Sequence, residues 1–149
     1  MSAKDLDVYQ SAYRLAMRVF ELSRSFPGEE KFALTSQIRR SSRSICLNLR
    51  EAWAKRRYEA HFISKLTDCD GESKALERRR WIPARWDPQG ECAVQMNQNS
   101  ETDSSLDFAR DCGYITDAQH QETTDICRQV GRMLGRMLIH PDGFLTSDL

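Results

Sequence analysis

Long apolar runs are missing from this 149-residue chain. No stretch approaches the roughly 20 consecutive apolar residues that a bilayer-spanning helix needs. Net charge is missing as well. The 22 Lys and Arg residues balance 22 Asp and Glu residues, which argues against a protein that coats nucleic acid by bulk charge. There is no glycine-rich phosphate loop, no nucleophile elbow and no acid pair of clear catalytic geometry. The five cysteines, at 46, 69, 92, 112 and 127, contain no C-x-x-C pair and are odd in number. The opening MSAKDLDVYQ carries no apolar secretion segment. A reduced, cytoplasmic setting is the expectation. What these absences leave is a binding module rather than an enzyme, with no cofactor implied.

The hydrophobic fraction of 40% and charged fraction of 30% are ordinary for a soluble globular domain and exclude wholesale disorder. The length fits a single domain, 1–149, able to bury a real core. The balanced charges are unevenly placed. Acids gather at Asp5 and Asp7, at Glu29 and Glu30, from Asp68 to Glu72 and from Glu101 to Asp111; bases concentrate at 39–57, 78–85 and 128–136. A neutral sum can therefore hide a local basic patch.

One stretch organises the chain, LTSQIRRSSRSICLNLREAWAKRRYEA from Leu34 to Ala60. Leu34, Ile38, Ile45, Leu49 and Ala52 form a stripe at helical spacing. Ser41, Ser42 and Ser44 are small enough to let a second helix approach. The remaining surface carries Arg39, Arg40, Arg43, Arg50, Lys55, Arg56 and Arg57. One helix thus supplies a core seam and the densest positive charge in the sequence.

The other helices follow from the same periodicity. Residues 5–25 carry an inner stripe of Val8, Ala12, Leu15, Val19 and Leu22, widened by Tyr9, Ala16 and Phe20. Pro27-Gly28 ends this helix, and Glu29 and Glu30 place acid at the positive pole of the next. So short a turn favours antiparallel neighbours. A third pattern from about Tyr58 carries Phe62, Leu66 and Cys69. Helical texture returns at about Ser100, with Leu106, Ala109 and Cys112, and stops at Gly113. The last helix has Thr116 and Gln119 in capping-box spacing. Its apolar face is Ile126, Val130, Met133 and Met137, with a row of Arg128, Arg132 and Arg136. Gly131 and Gly135 permit close backbone approach. His140-Pro141 ends it, and the tail 141–149 is expected to be mobile.

Between the third and fourth patterns the character changes. Segment 73–98 contains Pro83, Pro88 and Gly90, which forbid one continuous helix. Joining the chain across it sets Phe62, Leu66, Cys69, Asn99, Thr102, Leu106 and Ala109 at an unbroken alternation of four and three. Segment 73–98 therefore reads as an excursion inserted into one helix. The remaining cysteines within helical patterns, 46, 69, 112 and 127, read as small core fillers.

Several motifs together resemble a known family. They are Val8-Tyr9-Gln10 and Ala12; Phe26-Pro27 with Glu30; Leu34, Ser36-Gln37-Ile38-Arg39-Arg40-Ser41 and Ser44-Ile45; and Asn48-Leu49 with Glu51. Glu59, Phe62 and Leu66, and then Cys112-Gly113-Tyr114-Ile115, complete the set. The chain resembles the four-helix-bundle proteins encoded in intervening sequences of bacterial 23S ribosomal RNA genes. That family extends to the accessory variability proteins of diversity-generating retroelements. The resemblance implies an all-α, antiparallel up-down-up-down four-helix bundle, here with its third helix interrupted by an insertion. It also implies a ring-like homo-oligomer, typically a pentamer, without catalytic activity. In the retroelement branch it implies a basic surface that engages nucleic acid and a reverse transcriptase. Arg39, Arg40, Arg43 and Arg50 are the matching or nearby positions. Ala52 stands where the family commonly has glycine, and 73–98 finds no counterpart by motif.

The expected function is that of an oligomeric accessory protein binding RNA or DNA through Arg39, Arg40, Arg43, Arg50, Lys55, Arg56 and Arg57. The bland alternative is a solvated helix face on a protein-interaction scaffold. Arg78-Arg79-Arg80-Trp81 and Arg85-Trp86 interleave cations with flat rings, as single-strand binders do; the alternative is that the tryptophans fold back onto the bundle. Arg56 and His61 have the R-x4-H spacing of some helical ribonucleases, in which arginine stabilises the phosphorane and histidine moves the proton. The usual polar partner is absent. His61 and Cys69 supply at most half a tetrahedral metal shell.

Overall fold

The computed structural model describes residues 2–69 and 98–144, with backbone alone for 66–69. These residues form helices and turns, and none lies in a strand. Five α-helices follow in order: α1, Asp7–Ser23; α2, Leu34–Ala54; α3, Glu59–Cys69; α4, Gln98–Asp111; and α5, Asp117–Ile139. Short 3-10 turns occupy Ala3–Asp5, Gly28–Glu30 and Pro141–Gly143. No helix among the described residues is long and apolar enough to cross a membrane.

The stripes read from the sequence are the faces that bury. Val8, Ala12, Leu15, Val19 and Leu22 of α1 meet Leu34, Ile38, Ile45, Leu49 and Ala52 of α2, all at or below 8% exposure. Phe62, Leu106, Ala109, Ile126, Val130, Leu134 and Met137 complete one continuous core. Each large aliphatic side chain buried in this way contributes about 1.5–3 kcal/mol. Of the positions that keep register across the excursion, Phe62, Asn99, Thr102, Leu106 and Ala109 are all buried. The side chains of Leu66 and Cys69 lie outside the described residues.

Side-chain contacts fix how the helices run. Arg18 forks onto Glu122, at 2.9 Å from Nε and 3.2 Å from Nη2, and Arg14 donates to Gln129 at 3.3 Å. The order of these partners makes α1 and α5 antiparallel. Lys65 reaches back to Glu51 at 2.8 Å across the turn between α2 and α3, which is also an antiparallel pair. The Lys65 ammonium holds the Glu51 carboxyl below its usual range. His120 pairs with Asp107, and Asn99 donates to the Cys127 carbonyl, so α4 and α5 oppose each other. Both α3 and α4 pack on α2 and α5. Ser41 and Ser42 are buried, and Ser41 Oγ shares a 2.8 Å hydrogen bond with Thr102 Oγ1 where α2 meets α4.

The ends show why boundaries differ from expectation. Glu29 and Glu30 do not open α2. They lie in a 3-10 turn, and the helix begins at Leu34. Glu30 still supplies the acid, because Ala33 at the N-cap has no side-chain acceptor. One Glu30 oxygen accepts from the Leu34 N–H at 3.1 Å, and the other accepts from the Tyr114 hydroxyl at 3.3 Å. The α5 capping box forms as read, with Gln119 N–H donating to Thr116 Oγ1 at 3.1 Å and Thr116 N–H donating to Gln119 Oε1 at 2.9 Å. Gly113 takes φ of 78°, the left-handed conformation that ends α4. Helix α2 runs through buried Ala52, which sits inside a regular helix.

Two expectations need correction. Cys46 and Cys127 are buried fillers, but Cys112 is exposed, because it falls in the turn past the end of α4. Gly135 admits no neighbouring backbone, since a Cβ there meets nothing within 4 Å. The described part of the tail, 141–144, touches the core. Pro141 is buried, and the Phe144 ring lies 6.5 Å from that of Phe62. Residues 145–149 lie outside the described residues. So does 73–97, with the cation–tryptophan clusters at Arg78–Trp81 and Arg85–Trp86; Gln98 is the first residue of α4.

Candidate nucleic-acid interface

Helix geometry sorts the basic residues that the sequence presents as one run. Arg39 and Arg43 are one turn apart and share a face, and the antiparallel hairpin brings that face against the C-terminal turn of α1. Arg39 is half-buried. Its Nε donates to Ser23 Oγ at 2.7 Å, and the Ser23 hydroxyl donates in turn to the Phe20 carbonyl at 3.1 Å. The Arg39 guanidinium stands 4.9 Å from the centroid of the Phe20 ring. Arg43 lies 6.0 Å from the same ring and Arg24 lies 5.9 Å from it.

Three guanidinium groups are thus gathered around one phenyl ring. Cation–π attraction holds each of them by roughly 0.5–1 kcal/mol. It does not neutralise them. Among the described residues, no carboxylate forms a salt bridge with Arg24, Arg39 or Arg43. The arrangement holds cations together without discharging them, which favours a polyanion with several oxygens to share. Neither Phe20 nor Arg24 was among the sequence candidates. Phe20 lies on α1 and Arg24 just past its end, both apart from the arginine run of α2. The available signal was the Pro27-Gly28 reversal, which folds the end of α1 against the start of α2.

The other candidates separate from this cluster. Arg40 points to solvent, as does Arg50 two to three turns further along. Neither pairs with a carboxylate among the described residues. Arg50 lies beside Tyr9, whose hydroxyl burial pushes up in pKa while that arginine partly offsets the rise. Lys55, Arg56 and Arg57 lie beyond the end of α2, in the turn before α3. Arg56 is already engaged. It stacks on Trp53 at 4.2 Å, and its Nη1 donates to the Trp53 carbonyl at 2.7 Å, closing the helix end. His61 lies against Tyr58, with ring centroids 5.7 Å apart, so Arg56 and His61 each have a separate aromatic neighbour. In the α5 row, Arg128 pairs with Asp125 at 3.1 Å.

Apolar side chains are exposed beside the cations. Leu47, 61% exposed, occupies the helical position between Arg43 and Arg50, and Tyr13 and Met17 of α1 are 54% and 44% exposed. Tyr13 stacks with Tyr9 at 6.3 Å.

A comparison with curated proteins gives no match. Residues 4–82 match the family described as 23S rRNA-intervening sequence protein. The match takes in all of α1 to α3 and runs over 73–82, which comparison by motif left without a counterpart. It covers just over half of the 149 residues. The chain belongs to the 23S rRNA-intervening sequence protein family.

Proposed function

We propose that this chain is a non-enzymatic accessory protein that binds nucleic acid through the arginines gathered on Phe20, with Arg40 and Arg50 extending the track along α2. The observation that carries this reading is the convergence of Arg24, Arg39 and Arg43 within about 6 Å of one ring, with no carboxylate partner among the described residues. Held cations can replace condensed counterions along a phosphate backbone, and each such contact adds to the salt dependence of binding. Supporting this fold reading, α3 and α4 both pack on α2 and α5. They serve as two parts of the third member of a four-helix bundle, with the chain between them as an insertion.

The test is a salt titration of RNA and DNA binding. The Arg24→Ala/Arg39→Ala/Arg43→Ala variant is expected to lower the slope of log K against log salt by about 2 on single strands, at roughly 0.7 per contact, with helicity unchanged. Absence of binding by the parent chain at low salt ends the proposal.

Exposed Tyr13, Met17 and Leu47 favour a second reading, a protein-interaction scaffold. A homo-oligomer, by resemblance a pentameric ring, would cover these side chains, and a reverse transcriptase is the partner that the retroelement resemblance adds. Light scattering on the parent and on Leu47→Glu tests assembly independently of the salt titration. The ribonuclease reading gains no support from Arg56, whose guanidinium is held on Trp53; RNA cleavage lost on His61→Ala would revive it.

A further inference from the structure

The seam between α1 and α2 carries rings on one side and cations on the other. Tyr9, Tyr13 and Phe20 are spaced at i, i+4 and i+11 along α1, and Arg39, Arg43 and Arg50 repeat that spacing along α2. Residues so spaced share one helix face. Phe20 meets Arg39 and Arg43 at 4.9 and 6.0 Å, while Tyr9, at the other end of its row, lies beside Arg50. The two rows therefore run side by side in opposite directions. From Tyr9 to Phe20 the ring row is about 16 Å long, at 1.5 Å per residue.

Tyr13 is the ring of this row that solvent reaches. It is 54% exposed, whereas Tyr9 and Phe20 are half-buried. Tyr9 packs against the core, and Tyr13 stacks on Tyr9 with centroids 6.3 Å apart and planes 20° apart. A flat apolar surface is thus held on the outside by a second ring that the core fixes. Stacking has already taken part of the side-chain freedom that a partner would otherwise have to remove.

The charge around Tyr13 selects the partner. Among the described residues, no carboxylate forms a salt bridge with Arg24, Arg39, Arg43 or Arg50. Glu21 and Glu51, the acids closest in sequence to Arg24 and Arg50, turn instead to Arg18 at 3.1 Å and Lys65 at 2.8 Å. A second copy docked two-fold on this face would set arginines against arginines. A partner with negative charge and flat rings satisfies both rows at once. Bases in a duplex stack on one another, and presenting one to a side chain requires taking it out of the stack. An unpaired strand offers phosphates and open base faces together.

We propose that the α1/α2 seam takes single-stranded nucleic acid in preference to duplex, with a base stacked on Tyr13 and the phosphates following Arg39, Arg43 and Arg50. This rests on the nucleic-acid reading of the arginine cluster and adds to it the state of the strand. The arginines supply what any phosphate chain receives, and Tyr13 supplies what only an unpaired base can use.

The test is a fluorescence-anisotropy titration of the full chain, freed of nucleic acid, at low salt. The probes are oligo(dT), oligo(U), a DNA duplex of equal length and an abasic strand of equal length. Both unpaired homopolymers are expected to bind more tightly than the duplex. Tyr13→Ala should weaken them by about fivefold or more, the lower bound for one stacked base, and Tyr13→Phe should keep the parent affinity. On the duplex and the abasic strand Tyr13→Ala should change nothing, because neither offers an open base. Phe108→Ala, which removes an exposed ring from α4, should leave every affinity unchanged. The proposal is overturned if Tyr13→Ala keeps its grip on the homopolymers, weakens all four probes equally, or is matched by Phe108→Ala. A duplex bound as tightly as oligo(dT) overturns it too. In each of these cases a loss of binding in the Arg24→Ala/Arg39→Ala/Arg43→Ala variant leaves the arginine reading standing, whereas binding of no probe ends both. Light scattering that shows Tyr13→Ala falling from an oligomer to a monomer, with strand affinity kept, assigns the seam to a second copy instead.

Discussion

Replacing Phe62 by alanine tests whether α3 belongs to the core. The side chain is wholly buried, at 0% exposure, and it meets Phe144 at 6.5 Å with ring planes 22° apart. A phenylalanine buries about 150–250 Å², and at about 25 cal/mol per Å² this is worth roughly 4–6 kcal/mol. Alanine keeps a little of that area, and the cavity left behind adds to the loss, so the expected destabilisation is about 3–5 kcal/mol. A domain of this size is stable by only about 5–15 kcal/mol, so the variant should be visibly weakened. Its melting temperature should fall by roughly 6–20 °C, at about 2–4 °C per kcal/mol. Urea unfolding followed by far-ultraviolet circular dichroism measures this directly, with an unchanged m-value showing that the same surface unfolds. Phe108→Ala is the matched control, because that ring is 65% exposed and should change stability by under about 0.5 kcal/mol. A loss below about 1 kcal/mol for Phe62→Ala, or an equal loss for Phe108→Ala, would show that α3 does not close the core as described.

Two further outcomes follow from single positions. Gly135→Ala should stabilise the chain by about 0.5–1 kcal/mol, because the new Cβ meets nothing within 4 Å; a lower urea midpoint would count against the α5 geometry. Burial pushes the Cys46 thiol up to about 11 and the Cys127 thiol up to about 12, from an ordinary 9.0. The unfolded chain therefore sheds these protons first, and the folded state holds more of them between those values. Stability should fall as pH rises above about 9, and Cys46→Ala combined with Cys127→Ala should flatten that fall. At neutral pH, alkylation mapped by mass spectrometry should mark exposed Cys112 well before either buried thiol.

The helical stripes were legible because burial follows a 3.6-residue period, and the inner stripes of α1 and α2 lie inside, while Tyr9 and Phe20, which widen the α1 stripe, are half-buried. The Thr116–Gln119 cap was legible because its partners are three residues apart. Contacts between helices were not. Arg39, Arg40 and Arg43 are neighbours on the page, yet Arg40 turns to solvent off the Phe20 ring, while the hairpin brings Phe20 and Arg24 beside the other two. Gly135 and Cys112 were misjudged because small residues serve both crowded and open positions, and sequence alone does not separate the two.

The hydroxyl contact between Ser41 and Thr102 has a consequence for alignment. Oily surfaces attract one another almost equally well after sliding by a turn, so greasy packing alone is a poor ruler. A directional bond in a dry seam works as a pawl, because an offset gives up the link between the helices and leaves each hydroxyl only a carbonyl of its own helix, Ile38 for Ser41 and Gln98 for Thr102. Emptying that position on both helices should leave a protein that melts at much the same temperature but whose α2 and α4 no longer agree on one setting. The blurred spectra of such a chain would measure how much of its uniqueness rests on two small alcohols.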